Sequence, residues 1–233
     1  MIIASNVSKK FGKLVALDNI SVACNKGECI ALIGPNASGK TTLIKTILGM
    51  VVQDSGFITF NGSNILHHWK YREQIGYMPQ TGRYPDNMTI GNVLEMMKDI
   101  RGTNVTLDFD LVNAFSLKDL MHKRMQTLSG GTRQKVSASL AFLFSPAVLI
   151  LDEPTAGLDP VASEILKEKI ISEKQKGKLI LISSHILSEL DELVTQVIYM
   201  QEGRIHFHKS IEDLFLETGE EKLNKAIAQY MSR

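Results

Sequence analysis

Through the first third of the chain, apolar residues fall in short runs separated by polar clusters, at 2–7, 15–24, 29–33, 57–60 and 74–78. Runs of that length, rich in Val, Ile and Phe, predict strands, with Asn25-Lys26-Gly27 and Asn61-Gly62 as turns between them. The period then changes. From 39 to 48, Leu43, Ile44, Ile47 and Leu48 share one helical face, so a strand feeds a glycine-bearing loop that opens a helix. Between about 85 and 144 the β pattern fades. Val93, Leu94, Met96 and Met97, then Leu107, Leu111, Val112 and Phe115, recur at helical spacing and predict an inserted helical lobe. Strand patterns return at 147–151 and 179–183, each beside a helical stretch, the alternation of a mostly parallel sheet. At 220–233, Leu223, Ala226, Ile227, Tyr230 and Met231 line one face of a terminal helix docked on the body. The expected core is α/β, interrupted by helices.

With 233 residues and 44% hydrophobic content, the chain can bury the core of one large domain with a lobe. Its 26 basic and 25 acidic side chains nearly cancel to a formal charge of +1, which gives no bulk field for nucleic acid or anionic lipid. The first six residues lack the charged start and apolar stretch of a signal peptide, and no run approaches the roughly eighteen apolar residues of a membrane span. We therefore expect a cytoplasmic protein, or one seated on the inner face of another protein's membrane domain. Cys24 and Cys29 are the only cysteines. Reduced thiols packed as small hydrophobes are favoured over a disulfide or a metal pair.

Gly34-Pro35-Asn36-Ala37-Ser38-Gly39-Lys40-Thr41 fits G-x-x-x-x-G-K-[ST] between an apolar strand and a helix, where a phosphate loop has to sit. Such a loop turns successive backbone N–H groups towards phosphate oxygens, which requires small or φ-tolerant residues at Gly34 and Gly39, and the helix start adds its positive end. Lys40 would neutralise the β and γ phosphates, Thr41 would complete a Mg²⁺ shell, and Thr42 would reach the α phosphate. The bland alternative is a chance glycine turn. A second anchor is the apolar run 147–151, ending in Asp152-Glu153. Open α/β sheets place ligands at the carboxyl ends of strands. There Asp152 would hold Mg²⁺ through a water and Glu153 would polarise the water that attacks the γ phosphate. Strand alternation is expected to send the two carboxylates in different directions; an acidic pair that only caps a strand is the alternative.

Leu128-Ser129-Gly130-Gly131-Thr132-Arg133-Gln134-Lys135 is a second anion cradle at a helix start, and one chain with one phosphate loop has no use for two. On these motifs the sequence resembles the nucleotide-binding domain of ABC proteins over nearly its whole length. The resemblance implies a P-loop NTPase (RecA-like) core with an antiparallel β subdomain, at 1–84 and 145–218. It also implies an inserted α-helical subdomain at 85–144 and a terminal helix at 219–233. It further implies that Ser129, Gly130 and Gly131, with Asp159 of a D-loop in Ala156-Gly157-Leu158-Asp159-Pro160, meet ATP held by a second copy. Gln80, in Tyr77-Met78-Pro79-Gln80, takes the role of Q-loop residue between Mg²⁺, attacking water and lobe. His185, in Ile182-Ser183-Ser184-His185, is similar to the switch histidine that senses the γ phosphate. Phe11, before Gly12, matches the aromatic that stacks on adenine. Two positions depart from the family pattern: Ala37 stands where many members have glycine, and Thr132 where glutamine is common.

The implied partners are a second nucleotide-binding domain and separate transmembrane permease subunits, with no nucleic acid. ATP and Mg²⁺ are the expected ligands. ABC proteins that remodel ribosomes or DNA are the alternative class; they usually carry two such domains or a long coiled coil, and neither fits here. The stretch 76–89 is similar to the ABC-2 exporter group, which includes ATPases serving drug export and maturation of the copper centres of nitrous oxide reductase. His67, His68, His206 and His208 are read as solvated loop and edge histidines rather than copper ligands.

Overall fold

The computed structural model describes residues 1–102, 106–187 and 190–232. Residues 103–105 of the predicted lobe and Arg233 of the predicted tail helix lie outside the described residues.

Strand β1 (Ile2–Phe11) pairs antiparallel with β2 (Leu14–Cys24) on one edge and with β4 (Ser55–Phe60) on the other, and β4 turns back into β5 (Ser63–Asn64). The last turn is Asn61-Gly62, at φ 50° and 82°. Two consecutive left-handed residues are what a two-residue hairpin needs to match strand twist.

The second sheet is six strands in the order β10-β9-β3-β8-β7-β6. Strands β3 (Cys29–Ile33), β6 (Ile75–Met78), β7 (Val148–Asp152), β8 (Leu179–Ser183) and β9 (Gln196–Gln201) run parallel, and β10 (Arg204–Ser210) closes one edge antiparallel. Every residue of β3, β7 and β8 is buried, so their unbroken apolar runs serve two faces at once. Cys29, Ala31 and Ile33 enter one core while Ile30 and Leu32 enter the other. The second core packs the antiparallel sheet and α1 (Lys40–Ile47) against the parallel sheet. The first holds α2 (Ile90–Arg101), α3 (Asp110–Ala114), α4 (Gly130–Phe142), α5 (Pro160–Gln175), α6 (Ile211–Thr218) and α7 (Leu223–Met231).

Leu43, Ile44, Ile47 and Leu48 are buried as the period predicts, and so are Leu223, Ala226 and Ile227. Strand β9 and helix α6 were not predicted from the pattern. Gln196 and Gln201 blunt the apolar run of β9, and α6 carries Leu216 at 85% exposure, which obscures its face. Both cysteines are free and buried, and burial pushes each thiol up to about 12. They are neutral, unreactive packing groups.

A charged network joins the helical segment to the core. Lys169 of α5, itself buried, reaches Asp108 at 2.5 Å and Asp110 at 2.7 Å, on either side of the start of α3. It also lies 3.2 Å from Glu173, which is 1% exposed and pairs with Lys176 and Lys178. Burial pushes the Glu173 carboxyl up, but the three surrounding ammonium groups prevail and hold it at about 2.

Candidate functional site

The phosphate loop leaves the buried end of β3 and curls through positive φ at three positions: Gly34 (146°), Ala37 (63°) and Gly39 (103°). A Cβ at Gly34 would run into the Met200 carbonyl, and one at Gly39 would stand 2.5 Å from the Ala16 carbonyl. Both glycines are therefore demanded by conformation and by space. Gly39 is the residue before α1, so the first N–H groups of that helix face the loop. The Lys40 ammonium lies inside the curl, donating to Gly34 O at 2.8 Å and Pro35 O at 3.0 Å. Burial lowers its pKa, while the carboxylates of Glu153 and Asp152 act in the opposite sense.

A cavity of about 240 Å³ opens over this loop. It brings together Asn36, Ala37, Ser38, Gly39, Lys40, Thr41 and Thr42 with Gln80 after β6, Asp152 and Glu153 after β7, and Phe11, Leu14 and Ala16 from the β1–β2 hairpin. Gly34 and Pro35 do not line it; their carbonyls accept from Lys40. Phe11 is 49% exposed, with the Lys9 ammonium 5.5 Å from its ring centre. That leaves a half-bare aromatic face at the mouth, suited to stacking a flat base. Leu14 and Ala16 had no motif to flag them; they reach the cavity because β2 pairs with the strand that carries Phe11.

Asp152 is buried at the end of β7, where its carboxylate accepts a short hydrogen bond from the Ser183 hydroxyl. Glu153 lies beyond the end of the strand, so strand alternation does not act on it. Its φ is 51°, so the strand ends at Asp152, and a left-handed backbone separates the two carboxylates. A non-glycine residue held there is costly and occurs where the surroundings impose it. Here the Glu153 N–H is held by Ser183, at 3.1 Å to its carbonyl and 3.2 Å to its hydroxyl. The Glu153 carboxylate, with a side chain 12% exposed, lies 2.7 Å from His185 Nδ1 and accepts from the His185 N–H at 3.3 Å. His185 thus touches the acid itself without lining the cavity.

Ser129, Gly130 and Gly131 do not line this cavity. They form the exposed start of α4, where the Ser129 hydroxyl accepts from the Thr132 N–H at 3.2 Å and lies 2.9 Å from the Thr132 hydroxyl. Asp159 sits beside them rather than at the phosphate loop, capping α5 by accepting from the Ala162 N–H at 2.9 Å. Among the described residues, no group of three His, Cys, Asp or Glu side chains could hold a metal ion. His208 differs from the solvated edge histidine expected: its Nε2 is buried without a hydrogen-bond partner among the described residues, and burial lowers its pKa.

A strand, a left-handed glycine loop cradling a lysine and a strand-end carboxylate pair together define a P-loop nucleotide-binding protein. A family model described as ABC transporter matches residues 17–156, more than half of the chain; the chain belongs to that family, as one of its ATP-binding cassettes. The lantibiotic transport ATP-binding protein SrtF of Streptococcus pyogenes is 33% identical over 223 residues, covering 92% of this chain and 96% of its own. The Nod factor export ATP-binding protein I of Burkholderia lata is 32% identical over 204 residues, covering 85% of this chain and 67% of its own. A solved ATP-binding subunit of an ABC transporter shares the fold with a TM-score of 0.90 at 28% identity, over 98% of each chain.

Proposed function

We propose that two copies of this ATPase cassette close face to face around two ATP molecules, and that closing and reopening drive separate membrane-spanning subunits in the export direction. The observation that carries this reading is the separation of two anion cradles. One lies over Lys40 beside Thr41, Gln80, Asp152 and Glu153; the other, at Ser129, lies outside that cavity on an exposed helix start. A second copy turned to face the first supplies its Ser129 cradle to the nucleotide held over Lys40.

Within the cavity, Phe11 stacks the base, the loop N–H groups and Lys40 hold the phosphates, and Glu153 orients and deprotonates the attacking water. The water oxygen bonds to the γ phosphorus as the bond to the β–γ bridging oxygen breaks, giving ADP and inorganic phosphate. Thr41, Gln80 and Asp152 share the cavity and offer only oxygen donors, a set that fits Mg²⁺. The ion would offset charge on the phosphates. His185 steadies the Glu153 carboxylate until a γ phosphate competes for the imidazole. Once the γ phosphate separates, the bridge between copies is gone and the dimer reopens.

A groove of about 360 Å³ between sheet and lobe, lined by Met50, Tyr77, Tyr84, Met97 and Phe144 with Arg83 and Arg101 at its polar points, supports docking of a membrane subunit. Tyr84, Pro85 and Met88 belong to the apolar, proline-bearing stretch that the family resemblance offers for this contact. Tyr84 lines the groove, while the Met88 carbonyl is used internally by the Met125 N–H at 2.8 Å. Among the described residues no helix is long and apolar enough to cross a membrane. The export direction rests on the likeness of 76–89 to exporter ATPases and on relatives named for lantibiotic transport and Nod factor export.

The test is Glu153→Gln with ATP and magnesium, followed by light scattering on a sizing column. We expect turnover to fall about 10²–10⁴-fold and an ATP-filled dimer to accumulate; a monomer at saturating ATP overturns the sandwich. Copurification with a membrane-spanning subunit supports transport, and cosedimentation with ribosomes replaces it.

A further inference from the structure

Asp159 and Lys135 form a tie that the functional reading leaves unused. Asp159 ends the loop before α5, and both of its carboxylate oxygens are engaged within its own chain. One accepts from the Ala162 N–H at 2.9 Å, and the other from the Lys135 ammonium at 2.7 Å. Lys135 lies on α4, one turn beyond Gly131 at i+4 and therefore on the same helix face. Gly131 meets the same loop from that face: a Cβ there would stand 2.9 Å from the Gly157 carbonyl. Backbone contact at one end and an ion pair at the other thus fasten the loop 157–159 along the first turns of α4.

We infer that Lys135 is a positioning residue that locks the loop 157–159 to the Ser129 cradle, so that both elements meet the partner's nucleotide as one surface. This inference rests on the two-copy reading above. It also moves the work of the Asp159 carboxylate into its own protomer, since an anion already committed to a lysine and a helix cap is poorly suited to approach a triphosphate.

A half-exposed ion pair ordinarily contributes little, because two long side chains must be ordered to form it. Here one partner is ordered beforehand, since the α5 cap fixes Asp159, and the close approach at Gly131 fixes the distance to be spanned. The Lys135 ammonium also lies 6.0 Å from the centre of the Phe115 ring, which limits its alternatives. The tie crosses from the lobe to the core, so its loss frees the two elements to move separately. Closure around ATP then has to order them afresh, and the coupling between nucleotide and dimer weakens.

The experiment compares Lys135→Met and Lys135→Arg in the Glu153→Gln chain, titrating ATP with magnesium and reading dimer by light scattering. Binding of a fluorescent ATP analogue by the isolated monomer is measured alongside. We expect Lys135→Met to raise the ATP concentration for half-maximal dimer by about five- to tenfold, with monomer binding unchanged, and Lys135→Arg to restore the parent midpoint. In the chain with Glu153 intact, Lys135→Met should raise KM and spare kcat. A Lys135→Met midpoint equal to the parent's, or no restoration by Arg, overturns the positioning role. A parent that stays monomeric overturns the two-copy reading and this inference with it, and is seen before Lys135 is touched.

Discussion

The two anion cradles are built by opposite means. The loop at 34–41 is suspended from a fully buried strand, bends through three left-handed positions and closes on a lysine. The turn at 129–131 needs none of this: Ser129 sits at φ −61°, ψ 159°, an ordinary helix cap on an exposed surface. A cradle held by strain and burial keeps its shape without a ligand and can bind alone. One made from a helix cap offers N–H groups but no enclosure, and becomes a site only when something else supplies the wall. In the proposed two-copy assembly this difference implies an order, with nucleotide binding first to the loop and the capped helix of a second copy arriving afterwards.

The largest change that breaks this contrast is at the loop. Lys40→Ala removes the cation inside the curl, where desolvation makes each charge contact strong, and should cost about 3–4 kcal/mol, or roughly 10²–10³-fold in Kd for ATP. Calorimetric titration of the monomer checks it. Undiminished binding would mean that the loop does not hold the phosphates.

Next in size is the charged network that ties the start of α3 to α5. The Glu173 carboxyl at about 2, against an ordinary 4.5, corresponds to about 3.4 kcal/mol, which solvent screening at the half-exposed Lys176 reduces to about 2–3 kcal/mol of stability. A depressed carboxyl pKa means that this stability is complete above about pH 4.5 and lost as pH falls through about 2. Glu173→Gln should therefore lower Tm by about 5–10 °C at pH 7 and remove that part of the acid sensitivity. Scanning calorimetry from pH 7 to pH 3 reads both. Monomer binding of ATP below the new Tm should persist, because the loop does not depend on the lobe for its shape.

The same contrast explains what could be read from residues alone. The loop, the strand-end acids and the Ser-Gly-Gly turn were legible because each is a contiguous motif whose chemistry depends on short-range spacing. Asn61-Gly62 and the faces of α1 and α7 were legible for the same reason. The left-handed Glu153 was not, because Ser183, thirty residues on, imposes it across the sheet. The ties from Lys169 to Asp108 and Asp110 span 61 and 59 residues, and the tie from Lys135 to Asp159 spans 24. No local pattern selects one lysine among many for such a partner; only the packed fold does.

The smallest prediction concerns the family departure inside the loop. Ala37 holds φ 63°, and its Cβ there approaches the neighbouring carbonyl at a cost of about 1 kcal/mol that glycine would not incur. Glycine gives part of this back, because its unfolded chain has more freedom to lose, by about 0.4–1 kcal/mol. Ala37→Gly should therefore stabilise the chain by only a few tenths of a kcal/mol, raising Tm by about 1–2 °C in a calorimetric scan. The methyl also narrows the conformations open to the loop between Pro35 and Gly39, so the glycine variant should bind ATP no more tightly despite being more stable. A variant that loses stability instead would show that the methyl makes favourable contacts outweighing the backbone term. The loop would then be held by packing more than by strain, and its contrast with the capped helix would weaken accordingly.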